Sequence, residues 1–203
     1  MRKDSSAKKQ NLRDQIAYFA ARIMVEDGVP DFATAKRKAA RMAGVPDTHH
    51  LPDNCAVEQA LLEYQQLYQG GAHVSLLRKL RLQALKLMRT LSQFNPHLTG
   101  AVLAGYAGKN SDIQLQLFTE SVKDVEMFLI DQKWEYESRE TSAYVGGFQK
   151  IVPTFMLQIE DSMATLSIFS VDDIRHKLKI TLEGKPLERA DISQVEALTG
   201  GSA

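Results

Sequence analysis

The amino-acid sequence predicts an α+β (α/β) protein, in which a helical N-terminal region precedes a mixed β-sheet with flanking helices. Two observations lead to this prediction. Apolar residues recur at helical spacing through roughly the first ninety residues, and beyond Asn95-Pro96 they alternate with a period of two, as in half-buried strands. We place the boundary after residue 72, so that residues 1–72 form the helical region and residues 73–203 form an α/β domain.

Four helices are predicted in the first part of the chain, from apolar periodicity and from the residue types that begin and end helices. Asp31 is the expected N-cap of the second helix, and Asp53 or Asn54 is the expected N-cap of the third. The predicted ranges are about Asn11 to Asp27, Asp31 to just before Gly44, Asp53 or Asn54 to Gly70-Gly71, and roughly Val74 to Leu91.

The rest of the chain is predicted to form strands with short helices between them. Asp112–Phe118 alternates with a period of two, which places Ile113, Leu115 and Leu117 on one face of a strand. The first two strands are too close in sequence for a helical crossover, so we expect an antiparallel or mixed sheet. The other predicted elements are a buried strand at Ala101–Ala104, strands at Trp134–Arg139, Val152–Ile159 and Ala164–Phe169, and helices capped by Ser121 and Asp191.

The composition favours a cytoplasmic protein. The chain has 203 residues and one cysteine, Cys55, which excludes a disulfide within the chain. No apolar stretch approaches the roughly 20 residues that a membrane-spanning helix needs. The polar start, Met1–Gln10, lacks the apolar core of a signal peptide, so we expect neither a membrane span nor secretion.

The formal net charge is zero, but the charge is unevenly distributed along the chain. Residues 1–100 hold 15 Lys and Arg against 9 Asp and Glu, whereas residues 101–203 hold 10 against 16. This split is consistent with a basic surface that binds a polyanion. It is equally consistent with two halves of opposite charge that attract each other.

The segment from Val102 to Phe118 brings together glycines, a Lys109-Asn110 loop and a strand that begins Ser111-Asp112-Ile113. This order resembles the signature of the polymerase-β-type nucleotidyltransferase superfamily, in which a strand ends in Gly-Ser, a short loop follows and the next strand begins Asp-x-Asp. In that superfamily the glycine lets the backbone approach a triphosphate, and the serine hydroxyl and the loop N–H groups bind its oxygens. Three carboxylates hold two Mg²⁺ ions. The same segment is also typical of an ordinary β-hairpin with Lys109-Asn110 at its tip.

The resemblance implies roles for seven residues. Asp112 stands at the first carboxylate, where it would act in catalysis and hold Mg²⁺. The implied nucleotide-binding residues are Gly105 at the family's glycine, Tyr106 at the serine position, and Gly108, Lys109, Ser111 and Gln114 in the loop and strand.

The sequence departs from the superfamily at the metal site. Gln114 replaces the second carboxylate, and Thr165 or Ser167 stands where the third is expected. An amide oxygen can contact a cation but cannot offset a divalent charge. With one carboxylate in place of three, two Mg²⁺ ions would lack compensating charge, so we expect weak Mg²⁺ binding and no efficient metal-assisted catalysis.

Over nearly its whole length the chain is also similar to a small group of proteobacterial proteins that are called nucleotidyltransferases by fold. Besides Ser111-Asp112-Ile113, the similarity rests on Ala21–Gly28, Ala33–Ala40 and Ser193–Leu198. It implies a nucleotidyltransferase-like fold for residues 73–203.

On the fourth helix, Lys79, Gln83 and Lys86 lie along one line, with Arg78, Arg81 and Arg89 nearby. Lys79, Lys86 and Arg89 are the candidate contacts for the phosphate backbone of a nucleic acid. A second basic cluster, from Lys36 to Arg41, lies on the second helix. The alternative for both is a solvated helix face whose long side chains cover apolar surface. Neither cluster is interleaved with the aromatic residues that stack on single-stranded nucleic acid.

Three functions remain open on the sequence. We expect first a non-catalytic or regulatory protein on a nucleotidyltransferase-like fold, which binds a nucleotide or RNA. The second is an active metal-dependent nucleotidyltransferase, in which Asp112 holds the metal with help from Glu160, Asp161 or Asp172. The third is a protein-interaction module that docks a protein partner on the N-terminal helices.

Overall fold

The chain divides into two compact units. The first comprises Met1–Leu76 and Gly108–Asn110, and the second comprises Leu77–Ala107 and Ser111–Ala203. The α+β class is confirmed, since the first unit contains helices and the second contains a mixed sheet. The computed structural model of the protein describes residues 2–29, 31–45, 51–68, 70–179 and 186–200, and for residues 2–9 the backbone alone.

Helices form most of the described part of the first unit. Asp31 caps the second helix as predicted, because its carboxylate accepts a hydrogen bond of 2.7 Å from the N–H of Thr34. Asp53 is the capping side chain of the third, since its carboxylate accepts from the N–H of Ala56 at 2.7 Å. The helices are α1 (Arg2–Glu26), α2 (Phe32–Met42), α3 (Asn54–Tyr68) and α4 (Gly70–Thr90), whose residues from Leu77 onward belong to the second unit.

The prediction that Gly70-Gly71 end the third helix is wrong. α3 ends at Tyr68, and the two glycines form the start of α4. The first N–H groups of a helix have no partner within it, so this end tolerates residues that would weaken its interior.

The core of the first unit is formed where α1 packs against α2 and α3. Ala20 and Ala21 of α1 and Ala35 and Ala39 of α2 are fully buried, and their small side chains allow a close approach of the helices. None of the helices that the structure describes is both long enough and apolar enough to cross a bilayer.

A mixed sheet forms the centre of the second unit. The strands among the described residues are β1 (His97–Thr99), β2 (Ile113–Phe118), β3 (Tyr136–Val145), β4 (Phe148–Ile159), β5 (Ser162–Phe169), β6 (Leu178–Lys179) and β7 (Arg189–Ala190). Their order is β6-β3-β4-β5-β2-β1-β7. β2 and β5 are parallel and the other neighbours are antiparallel, which confirms the predicted mixed sheet.

Short helices accompany the strands of the second unit. They are α5 (Gly100–Ala104), α6 (Val122–Asp131) and α7 (Ile192–Leu198), with 3₁₀ turns at Ser92–Phe94 and Val171–Arg175. Ser121 caps α6 and Asp191 caps α7, as predicted. β4 and β5 contain the strands predicted for them, whereas β3 is longer than predicted and pairs with β4 across the Gly146-Gly147 turn.

The predicted strand at Ala101–Ala104 is wrong. The strand of this region is β1, and the next residue, Gly100, adopts a left-handed φ of 71° that turns the chain into α5. An Ala-Val-Leu-Ala run fits a buried strand or a buried helical turn. Here the guanidinium of Arg81 donates to the carbonyls of Val102 and Leu103 at 3.1 and 3.0 Å. It thereby supplies partners to carbonyls that a short helix leaves unpaired.

The two faces of β2 differ in composition. Ile113, Leu115 and Leu117 are at most 1% exposed, on the face predicted for them. The opposite face of β2 carries Gln114 and Gln116, which position the candidate site, and it ends at Phe118, which lies in a buried apolar cluster with Val145, Val152, Phe169 and Leu178.

Candidate functional site

Polar side chains of β2 and β5 meet near the middle of the sheet. Gln114 is in register with Thr165, and Gln116 with Ser167, where the two strands run parallel. Residues in register on neighbouring strands lie on the same face, so the alternation of both strands gathers hydrogen-bonding groups on one surface. We call this surface the polar face, and its residues are Asp112, Gln114, Gln116, Thr165 and Ser167.

Asp112 is the carboxylate of the polar face. It is half-buried directly before β2, and the hydroxyl of Thr165 donates to its Oδ2 at a long 3.5 Å. Burial raises the pKa of Asp112, and the hydrogen bond from Thr165 offsets part of that rise. The side chain is therefore harder to ionise than an exposed aspartate.

The donor set of the polar face does not fit a site for two Mg²⁺ ions. Mg²⁺ prefers carboxylate and phosphate oxygens, and a pair of ions needs several of them. Apart from Asp112, the polar face offers neutral amide and hydroxyl oxygens. Throughout the described part of the chain, no group of three or more His, Cys, Asp and Glu residues could hold a metal ion.

The glycine that directly follows a strand, as in the superfamily signature, is Gly100. A Cβ at this position would meet the side-chain amide of Gln114. Gly105, the residue predicted for this role, ends α5 with a φ of 94°, and the N–H of Tyr106 donates to the carbonyl of Ala101 at 3.1 Å. Ala101 follows Gly100, so this register also lacks the serine hydroxyl. Sequence reasoning missed Gly100 because it placed the first strand after this glycine.

The predicted loop residues divide between the two units. Gly108 and Lys109 belong to the first unit together with Asn110, whose Nδ2 donates to the carbonyl of Gly28 at 3.5 Å. Ser111 is half-buried and belongs to the second unit. A simple hairpin with Lys109-Asn110 at its tip is not formed, because α5 and not a strand precedes the loop.

The predicted nucleic-acid contacts on α4 pair with carboxylates of the same unit. Lys79 pairs with Asp161, and Lys86 pairs with Glu160 at 2.9 Å. Between them, the buried amide of Gln83 donates to Glu160 at 3.0 Å and to Asp161 at 2.8 Å. We call these five residues the charged cluster.

Both carboxylates of the charged cluster have a pKa below the ordinary value. Hydrogen bonds from Gln83 and Lys86 lower the pKa of Glu160. Hydrogen bonds from Lys79 and Gln83 lower the pKa of Asp161. The side chains of Lys79 and Lys86 remain 53% and 75% exposed, so solvent screens these ion pairs.

Two further basic positions also have partners within their own unit. Arg89 pairs with Glu196 at 2.7 Å. On α2, Nζ of Lys36 donates to the side chain of Asn54 at 2.8 Å and to the carbonyl of Pro52 at 3.1 Å. These contacts tie each helix to a neighbouring segment of the fold.

Two buried polar atoms beside β2 were not anticipated. Gln116 is 3% exposed, yet its Oε1 has no hydrogen-bond partner among the described residues. Nη1 of Arg189 is buried and equally unpaired there, while Nη2 donates to the carbonyls of Ile174 and His176 at 2.7 and 2.9 Å. The period-two pattern that begins at Asp112 could have identified Gln116, but no sequence pattern points to Arg189.

The N-terminal helices present an aromatic surface. The ring of Tyr64 lies 5.8 Å from that of Tyr18 and 4.5 Å from that of Tyr68. The hydroxyl of Tyr64 donates to Glu26 at 2.6 Å, and this bond raises the pKa of Tyr64 to about 12. Leu67 and Tyr68 are 74% and 63% exposed, so part of this surface faces solvent.

Comparison of the chain with protein-family models, with curated proteins and with solved structures finds no match.

Proposed function

We propose that the protein is a non-catalytic binding protein on a nucleotidyltransferase-like fold, and that it binds a nucleotide on the polar face of its sheet. The observation that carries the proposal is the composition of that face, which has one carboxylate of raised pKa among neutral hydrogen-bonding side chains. Such a surface suits a polar ligand held by hydrogen bonds. It lacks the charge that two-metal catalysis needs.

The order of elements around the polar face supports a nucleotide as the ligand. A glycine directly after β1, and Asp112 directly before β2, follow the order of the superfamily signature. Gly100 lies against the side chain of Gln114, so the end of β1 and the polar face are adjacent. Main-chain N–H groups that follow such a glycine are suited to phosphate oxygens.

We favour a free nucleotide over RNA because of the charged cluster. Binding along an RNA backbone needs cations that can exchange their counterions for phosphates. Lys79 and Lys86 already pair with Asp161 and Glu160, so an RNA strand would have to displace carboxylates that the chain itself supplies.

Titration calorimetry of the full chain with the four ribonucleoside triphosphates tests the proposal. We expect saturable binding in EDTA that Mg²⁺ does not strengthen. Gln114→Ala, on the polar face, should weaken binding by at least about tenfold, the effect of one lost hydrogen bond of ~1.4 kcal/mol. Glu140→Gln is the matched control, because its exposed side chain lies on the opposite face of the sheet. Absence of binding for every nucleotide would overturn the proposal.

A second assay separates binding from catalysis. Incubation with labelled triphosphates, Mg²⁺ and an RNA acceptor should give neither pyrophosphate release nor incorporation of label. Release that disappears in Asp112→Ala would establish the active nucleotidyltransferase instead.

Protein interaction through the N-terminal helices is a second candidate function, favoured by the exposure of Leu67 and Tyr68. Aromatic and large apolar residues are enriched in interface cores. Self-association through this surface predicts a sedimentation mass that rises with concentration and returns to the monomer value in Leu67→Ser. A wild-type chain of constant monomer mass would contradict it.

A further inference from the structure

The exposed side of α2 carries cations that have no carboxylate partner. α2 contains four Lys and Arg residues and no Asp or Glu. Arg37, Lys38 and Arg41 are exposed, and none of them forms an ion pair within the described part of the chain. The two lysines of the charged cluster, in contrast, both pair with carboxylates. We call Arg37, Lys38 and Arg41 the basic face.

The spacing of the basic face places its three charges on one side of the helix. Positions i, i+1 and i+4 span about 100° of the circumference and about 6 Å along the axis of an α-helix. Nη2 of Arg37 donates to the hydroxyl of Thr34 at 3.2 Å, which orients this guanidinium along the helix. The carboxylate of Asp31 lies within electrostatic range of Arg37, so the positive charge is strongest toward Arg41.

The other side of α2 is fixed to the rest of the first unit. Ala35, Ala39 and Ala40 are at most 3% exposed, and α1 packs against α2. Lys36 belongs to this anchored side, because its Nζ donates to the side chain of Asn54 at 2.8 Å. The basic face is thus presented by a helix that is already held in place, and little backbone order has to be gained when a ligand binds.

The chemistry of α2 favours a nucleic acid over other polyanions. Protein interfaces need aromatic or large apolar anchors, and a helix that lies in a membrane surface needs an apolar face. The one large apolar side chain that α2 exposes is Met42, and the alanines of its apolar side are buried. Nucleic-acid interfaces are polar and strongly positive, and arginine binds phosphate through two parallel hydrogen bonds.

We propose that the basic face binds the phosphate backbone of a double-stranded nucleic acid. No aromatic residue lies among its cations, so a single strand would find no ring on which to stack its bases. A backbone bound here does not have to displace carboxylates, as it would on α4. The basic face lies on the first unit and the polar face on the second, so the inference does not rest on the proposed nucleotide binding.

Fluorescence anisotropy of the full chain with labelled duplexes of DNA and of RNA, of corresponding sequence, tests the proposal. Contact with three phosphates predicts a slope of about −2.7 for the logarithm of affinity against the logarithm of salt concentration on B-form DNA. The affinity should therefore fall about 40-fold between about 50 and 200 mM salt. The duplex that binds more tightly identifies the source of the phosphates. Absence of saturable binding to either duplex at low salt overturns the proposal.

Variants locate the binding to the basic face. The triple variant Arg37→Gln, Lys38→Gln, Arg41→Gln removes three exposed charges and keeps residues that favour a helix. We expect its affinity at low salt to fall at least about tenfold and the salt dependence to flatten. The matched variant Lys79→Gln, Lys86→Gln, Arg89→Gln removes the same charge from cations that have carboxylate partners, so it should lose less than about threefold. An equal loss in both variants overturns the proposal.

A charge-preserving variant separates binding from folding. Arg37→Lys with Arg41→Lys keeps the charge and loses the planar forks, so it should retain the salt dependence with a smaller loss of affinity. If it binds no better than the glutamine variant, the loss comes from the fold and not from the charges, which also overturns the proposal.

Competition separates nucleic acid from other anions. Poly-glutamate and phosphatidylserine vesicles, added at the charge concentration of the duplex, should not displace it. Displacement by poly-glutamate would assign the basic face to an acidic protein, and displacement by the vesicles would assign it to a membrane surface. Either result overturns the proposal and leaves nucleotide binding on the polar face standing, since that binding is measured separately.

Discussion

The charged cluster and the polar face belong to the same unit, but they differ in how far their polar groups are hydrogen-bonded within the chain. In the charged cluster, the buried amide of Gln83 bonds to both carboxylates and also accepts from Oγ of Ser162 at 2.9 Å. On the polar face, Asp112 receives one long hydrogen bond and Oε1 of Gln116 receives none among the described residues. Groups whose partners lie within the chain stabilise the fold, whereas groups left unpaired are the ones that a ligand can use.

Among substitutions that test this difference, we expect Gln83→Leu to change the free energy of unfolding the most. The change removes the amide that bridges two carboxylates and leaves the hydroxyl of Ser162 without its acceptor. We expect the free energy of unfolding to fall by about 2 kcal/mol. Urea denaturation measures this loss against Gln59→Leu, an exposed glutamine of α3, which should change stability by less than about 0.5 kcal/mol. Equal effects of the two changes would show that the charged cluster does not stabilise the fold.

Gly100→Ala should have the next largest effect. A non-glycine residue at a φ of 71° costs about 1–2 kcal/mol, and the new Cβ would also meet the side chain of Gln114. Gly108→Ala is the matched control, because a Cβ there meets nothing within 4 Å. Thermal unfolding should separate the two variants. A stable Gly100→Ala chain would mean that β1 and α5 can meet without this backbone conformation.

Asp112→Asn tests the polar face through the pH dependence of stability. Burial raises the pKa of Asp112 in the folded chain, so the folded state binds this proton more tightly than the unfolded state does. Stability from this group is therefore present at low pH and is lost as the pH rises from the unfolded value of about 3.9 through the folded one. The asparagine variant escapes this loss, and relative to wild type it should gain stability, by less than about 1 kcal/mol, between pH 3.5 and 7.

Parallel urea titrations at several pH values measure this difference. Glu140→Gln, a change at an exposed carboxylate of β3, is the control for removal of a charge as such. If the wild-type chain instead becomes more stable relative to Asp112→Asn as the pH rises, Asp112 has a stabilising cationic partner.

Lys86→Ala should have the smallest effect. The ion pair with Glu160 is formed by a side chain that is 75% exposed, so solvent and salt screen it. We expect Tm to change by less than about 2 °C at physiological ionic strength. A drop of several degrees that high salt removes would mean that the pair, and not Gln83, holds the charged cluster together.

The parts of the fold that depend on local patterns were predictable from the sequence. β2 followed from the alternation of Ile113, Leu115 and Leu117, and Asp31 and Asp191 followed from capping rules that involve residues three positions away. Each of these interactions is encoded within a few residues of the chain.

The parts that depend on distant residues were not predictable. No sequence pattern near Lys79 or Gln83 predicts that they pair with Glu160 and Asp161, which lie in the turn after β4. The helix α5 was mistaken for a strand because Arg81, which donates to its carbonyls, lies on another element. Arg189 acquires its place over Phe118 through the sheet alone.

During folding, the pairing of β2 with β5 should form late. The β3–β4 and β4–β5 hairpins join neighbouring segments and can form early, whereas β2 pairs with β5 only after α6, β3 and β4 have been spanned. In pulse-labelling hydrogen exchange, the amides of β2 should gain protection after those of β4. The polar face needs both β2 and β5, so a folding chain should complete this candidate ligand surface only when β2 joins the hairpins that formed first.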